Sequence, residues 1–460
     1  MLVDDVLLEI FDFYRKIGDI RLDFKPKPIW NWLKLVHVCR RWRQIIFDSP
    51  RRFTLRILCT YGTPVRKNLG IRPAFPIDIR LHYPKPLKHK DEDNAIAALE
   101  HRDRIETVEL WATRSQLEKI AAVMQKPFPV LTRLCMRSTA DTPPLLTAEF
   151  LGGFAPHLQE IILDYIPFPA LPTLLLSTSD LVTLNLSDIP ILGYISPRRI
   201  AACLAALPRL EVFAITYLDI ASRPRRIRSP PVTRPVLPAL TSFSFQGASE
   251  YLEDLVTRID TPQLEQVSIV YLDRPNNFQM TQLSNFIDRS IGLSVVADVQ
   301  FHFDWVGFTL SRKHGQRFIA TTISYDSLEF EWRQPDIARV FSQFSAVLCT
   351  VVHLTLEARL DEVDHSDDAY DIEWLYLLRL FPAMQTLYVD EELAPAVALA
   401  LENVTAETVA EVLPSLGLIF LDGEPVLSLE KIVAIRQFSG RPITVVETRE
   451  KFNDIVESYI

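Results

Sequence analysis

The chain predicts an α/β fold, with a short helical module at the N-terminus followed by a long row of parallel strands and covering outer helices. Three observations predict it. The pattern Leu-x-x-Leu-x-Leu, with Phe, Ile or Val in some places, recurs from anchors at Leu131, Leu158, Leu181, Leu210, Leu240 and Leu264, spaced 23 to 30 residues apart. Proline is abundant (32) and glycine scarce (13), and Pro-x-Leu precedes most of these strands as fixed punctuation. Finally, the first fifty residues repeat their apolar groups every three or four positions, which is the period of a helix.

At the N-terminus, Val6, Leu7, Ile10, Phe11, Phe13 and Tyr14 form one helical stripe, with Asp4 or Asp5 placed to cap its first turn. Trp32, Leu35, Val38, Cys39, Trp42, Ile45 and Ile46 form a second, with Lys34, His37, Arg40, Arg41 and Arg43 filling the gaps. Pro26 and Pro28 separate the two helices. A unit of this size buries little core alone. Its surplus of large apolar side chains must be covered by the rest of the chain or by another protein. Two such helices with an Arg-rich turn would also suit a plain helical cap, or a helix-turn-helix that reads DNA. The net charge of −9 weighs against DNA.

Leu2, the run Asp5-Val-Leu-Leu-Glu-Ile-Phe11, and Trp32-x-x-Leu-x-x-Val-Cys-Arg-x-Trp42-Arg together resemble an F-box, with Val3 where that family usually carries Pro. The resemblance covers residues 1–50, and the chain as a whole looks most like the divergent F-box proteins of fungi. It implies docking on a Skp-type adaptor and, through it, a cullin–RING ubiquitin ligase. Leu2, Val6, Leu7, Ile10, Leu35, Val38 and Trp42 would be the adaptor-binding positions, Trp42 chiefly by holding the helices together. The remainder would select an unidentified protein substrate, and catalysis would reside in other subunits.

Residues 51–100 read as a capping and linking segment, with strands at 53–58 and 77–81. Residues 101–460 read as a degenerate array similar to leucine-rich repeats, whose period is roughly 20–29 residues. Each strand has one apolar face and must stack to bury it. Helices are expected at 115–126, 197–207, 249–260 and 281–291. The position that usually carries a turn-bonding Asn holds Thr139, Ile166, Ile189, Leu218, Ala248 and Leu272, so irregular curvature is expected. Beyond residue 290 the pattern loosens. Strands are expected at 295–303, 318–332, 351–356, 384–389, 416–421 and 443–447, with helices at 336–344, 372–381 and 427–438. The basic, proline-rich 223–235 and the acidic 361–371 read as loops.

Composition excludes several classes. Hydrophobic residues make up 48% and charged residues 23% of 460, which suits a globular chain. No long apolar run or positive leader is present, so no membrane span or secretory signal is expected. Cys39, Cys59, Cys135, Cys203 and Cys349 are scattered, which fits a reducing compartment, cytoplasmic or nuclear, and offers no zinc site. Neither catalytic motifs nor a cofactor or metal site are found. His365 in the acidic stretch lacks the spacing of a calcium loop, and His302 beside Asp304 fits plain strand alternation. Seven residues beyond every second anchor stand Tyr165, Tyr217 and Tyr271, with Glu160, Glu211 and Glu265 on the same strands. These would suit recognition of a basic, partly apolar segment, or the tyrosines would simply pack against the turns. The overall function expected is a ligase substrate receptor. The alternatives are a non-catalytic repeat scaffold, or a hydrolase site in the irregular half after residue 290.

Overall fold

In the first strand pairs, parallel pairing follows from one-sided strands joined through helices. The computed structural model describes residues 3–19, 35–49, 56–62, 65–69, 75–81, 87–139, 142–218, 234–272, 280–290, 296–302, 305–311, 318–324, 341–359, 374–405, 412–421 and 429–446. The chain divides into two compact units, residues 1–142 with 149–158, and residues 143–148 with 159–460.

The first unit begins with α1 (Asp4–Asp19) and α2 (Arg40–Asp48). Asp4 and Asp5 lie in the first turn of α1, where the dipole favours acids. Cys39 caps α2: its backbone is extended, and its Sγ accepts the Trp42 N–H at 3.4 Å. Leu7 and Phe11 turn inward, and the Phe11 ring meets Trp42 edge-on at 4.7 Å. Arg41 bonds Asp4 at 2.6 Å across the two helices. Then come β1 (Ile57–Cys59), α3 (Val65–Asn68), β2 (Ile77–Leu81), α4 (His89–Leu99), β3 (Ile105–Ala112), α5 (Arg114–Val123) and β4 (Arg133–Ser138). These four strands pair in parallel in chain order.

In the second unit, β5 (Glu160–Asp164), α6 (Leu171–Leu175), β6 (Thr183–Ile189), α7 (Pro197–Leu204), β7 (Val212–Tyr217), β8 (Ser242–Gly247), α8 (Ser249–Val256), β9 (Gln266–Tyr271) and α9 (Thr281–Ser290) continue the pattern. Strands β5 to β9 are again parallel neighbours. Alternate residues are buried: Phe213, Ile215 and Tyr217 on β7, Phe243 and Phe245 on β8, Val267, Ile269 and Tyr271 on β9. The rings of Phe213 and Phe243 stack at 5.6 Å, and Phe286 of α9 meets Phe243 edge-on at 6.4 Å. The helices therefore cover the buried face, each touching the next. Each such side chain contributes about 1.5–3 kcal/mol by leaving water.

The turn ladder expected to be missing its Asn is built from main chain instead. The N–H groups of Leu218 and Leu272 bond the carbonyls of Ile189 and Gly247 in the preceding repeat, as Thr139 bonds Ala112 in the first unit. Ile166, Ile189 and Ala248 are simply buried there.

Parallel order fails after β9. The strands β10 (Val296–His302), β11 (Trp305–Ser311) and β12 (Phe318–Ser324) form an antiparallel meander, and it is β12 that pairs with β9. The sequence reading missed β11 and expected only parallel strands here. The connections 303–304 and 312–317 are too short for a crossover, which needs about a dozen residues, so the chain must turn straight back. Parallel pairing resumes from β10 to β13 (His353–Arg359), after α10 (Ser345–Leu348). It runs on through α11 (Trp374–Leu378), β14 (Thr386–Val389), α12 (Ala394–Glu402), β15 (Leu418–Leu421), α13 (Glu430–Phe438) and β16 (Thr444–Val446). Here the second face closes as well: Tyr388 and Phe420 are buried with Val296, against Leu418 and Val446. The strand Ile105–Ala112 and the helix His89–Leu99 also fall outside the expected elements. The expected acidic loop 361–371 and most of the basic loop 223–235 lie outside the described residues, as do Leu2, His365 and the first part of the helix expected at 336–344.

Glu253 joins two helices of the second unit. Its carboxylate on α8 accepts the Gln282 and Leu283 N–H groups of the first turn of α9 at 2.9 and 2.8 Å. Burial raises its pKa to about 7, although both backbone bonds pull the other way. A carboxyl raised above its unfolded value holds more protons folded than unfolded between those two pKa values. Its contribution is therefore full below the unfolded value and is lost as pH rises through about 7. Wild type minus Glu253→Gln is expected to show stability declining from about pH 5 to pH 8 in urea titrations, and a pH-independent difference would refute this.

Candidate functional site

Helix α1 is apolar on two sides. Leu7 (4% exposed) and Phe11 (0%) face α2, whereas Val6 (41%), Ile10 (45%) and Phe13 (67%) are exposed, as is Val3 (65%) just before the first turn. At 3.6 residues per turn the exposed four fall within an arc of about 80°. Val38 (58%) adds an exposed apolar group beside α2. Of the F-box-like positions, then, Val6, Ile10 and Val38 meet solvent. Leu7 and Leu35 are buried, and Trp42 is half-buried against Phe11. Leu7 and Leu35 are thus covered within this chain and do not themselves present an open surface. Arg43 Nε donates to the Val36 carbonyl at 3.0 Å and fixes the approach to α2.

The other candidate surface is the sheet face away from the helices. On β6 to β9 it is half-exposed and carries mostly small uncharged groups, among them Asn185, Ser187, Ala214, Thr216, Ser244 and Ser268, while on β5 it carries Glu160, Ile162 and Asp164. In the first unit the same face is charged. Asp78 on β2 is fully buried and takes Arg56 Nη1 at 3.0 Å and Arg80 Nη2 at 3.1 Å, while Glu109 on β3 lies 3.0 Å from Arg133 on β4.

The tyrosine stripe is not a surface. Tyr217 and Tyr271 are 2% and 1% exposed and lie on the leucine face, among the core. The Tyr217 hydroxyl donates to the Ile195 carbonyl at 3.1 Å, and that of Tyr251 donates to the same oxygen at 2.8 Å. Tyr165 is half-buried, in the left-handed region at φ 55° just beyond β5. Glu160, Glu211 and Glu265 stand at the beginnings of their strands. Six residues of strand, about 20 Å, therefore separate Glu211 from Tyr217 and Glu265 from Tyr271. The structure does not bring these six residues together, because burial takes the tyrosines and strand length separates the acids. Tyr217→Phe is expected to cost only about 0.5–1.5 kcal/mol of stability, the worth of one hydrogen bond, and to leave binding of any client unchanged. A loss of client binding at intact stability would restore the stripe.

Chemistry-bearing groups are quiet among the described residues. Burial and nearby Asp91 push the Cys59 thiol up to about 12, so it is no nucleophile at neutral pH. Among the described residues no group of three His, Cys, Asp or Glu is placed to hold a metal, and no helix is long and apolar enough to cross a membrane. No protein-family model matches the chain, and no curated protein does either.

Proposed function

We propose that this chain is the substrate receptor of a Skp–cullin–F-box-type ubiquitin ligase. In this reading α1 and α2 form the F-box-like module that docks on the adaptor. The strand row is a divergent leucine-rich-repeat-like solenoid whose open face selects the client, in the cytoplasm or nucleus. Ubiquitin transfer falls to other subunits. The observation that carries the reading is the outward apolar stripe of Val3, Val6, Ile10 and Phe13, on a helix whose inner face is already packed. Four large apolar groups in water on one helix face are what a docking helix presents before its partner arrives. The F-box-like sequence supplies the partner's class.

Co-expression of the full chain with a Skp-type adaptor tests it. A complex that survives gel filtration at micromolar concentration is expected. Absence of a complex there would favour the non-catalytic repeat scaffold.

A further inference from the structure

On the open face of β2 to β4, Arg80 and Arg133 stand outside the acids they pair with, whereas Arg56 and Glu106 are about equally exposed. Side-chain exposure is 27% for Arg56, 34% for Arg80 and 43% for Arg133, against 0% for Asp78, 16% for Glu109 and 29% for Glu106. Asp78 and Glu109 neutralise from beneath, and the side chains of Arg80 and Arg133 are the more exposed partners. Arg137, exposed at the end of β4, lies over the half-buried ring of Trp111 at 4.8 Å, and the two residues are cross-strand neighbours. A small face thus presents cations beside an indole ring, the residue types that dominate binding energy at protein interfaces.

We propose that this face binds an extended acidic segment of the client protein, a refinement that rests on the receptor reading above. Arg133 and Arg137 are four residues apart on one strand, hence on one face and about 13 Å apart. That separation matches two carboxylates four residues apart along an extended peptide. Arginine suits a carboxylate through two parallel N–H···O bonds. A guanidinium held against a ring loses less freedom when it binds. A short acidic peptide also fits better than a polyanion. The chain carries a net charge of −9, which repels nucleic acid or an anionic membrane at long range. A peptide in contact with the face feels chiefly the groups within a screening length of about 8 Å, where four arginines stand against the three carboxylates Asp78, Glu106 and Glu109.

The test is fluorescence anisotropy on the full chain with a labelled peptide of alternating Glu and Ser around a central Leu, and its Gln counterpart. The Glu peptide is expected to bind at least about tenfold more tightly, and to weaken with added salt. Arg137→Ala should weaken it about tenfold at unchanged melting temperature, because the side chain is exposed. Arg80→Ala should weaken it less, and Arg137→Lys should fall between wild type and Arg137→Ala. Equal binding of the Glu and Gln peptides, or no effect of Arg137→Ala, would overturn the proposal. So would single-stranded DNA or phosphatidylserine vesicles that bind while the Glu peptide fails to compete. The Ile10→Asp variant must still bind the peptide. Failure of the unaltered chain to bind the adaptor while it still binds the Glu peptide condemns the receptor reading alone, and failure to bind the peptide with adaptor binding intact condemns this face alone.

Discussion

Asp78→Ala is expected to lower the stability of the first unit by about 2–3 kcal/mol. The carboxylate is fully buried and takes three N–H bonds, two from Arg56 at 3.0 and 3.1 Å and one from Arg80 at 3.1 Å. Removing one partner of a buried pair typically costs about 3–5 kcal/mol, because the other charge stays buried and unpaired. Here the arginines are 27% and 34% exposed. They can turn part of their charge to water, which places the loss at or below the lower end of that range. Asp78→Asn keeps the shape and some of the hydrogen bonding, so it should cost roughly half as much. Urea unfolding followed by tryptophan fluorescence checks both. A loss under about 0.5 kcal/mol would mean that desolvating the carboxylate already cancels what its partners return.

Much of the strand row is legible in the sequence, and the reason is parity. From an anchor such as Leu210, the residues at +3 and +5 are Phe213 and Ile215, both buried, and those at +2, +4 and +6 form the open face. The same count assigns Arg133, Cys135 and Arg137 to the open face of β4, as observed. It also assigns Tyr217 and Tyr271, at +7, to the buried side. The tyrosine stripe was therefore refutable from spacing alone: an odd offset shares the leucine face. Tyr165 departs only because β5 ends at Asp164 and the backbone then turns left-handed.

The meander was harder to see. Its strand Trp305–Ser311 contains Gly307 and has no anchor leucine, so the repeat template passes over it. What marks it is the two-residue gap after β10, a distance constraint that no residue pattern encodes. The ion pairs beneath the open face were likewise unreadable. Asp78 pairs with Arg56, 22 positions away, and only stacking of one repeat on the next sets that distance.

The largest effect is expected at α1, where two substitutions on one helix should separate folding from docking. Ile10→Asp with Phe13→Asp alters side chains 45% and 67% exposed, so no packed contact of comparable size is lost and melting should be nearly unchanged. Adaptor binding should fall by about a hundredfold or more, because each change sets a charge against an apolar partner surface. Phe11→Ala should do the reverse. Its ring is fully buried and meets Trp42 at 4.7 Å, and its loss should cost about 3–5 kcal/mol, with adaptor binding weakened only as far as the module unfolds. Calorimetric titration with the adaptor, paired with thermal melts, reads both quantities. If the double Asp variant binds as wild type does, the exposed stripe is not the docking surface. If it melts early, the stripe is packing for this chain itself, and the helical cap becomes the better account of the first fifty residues.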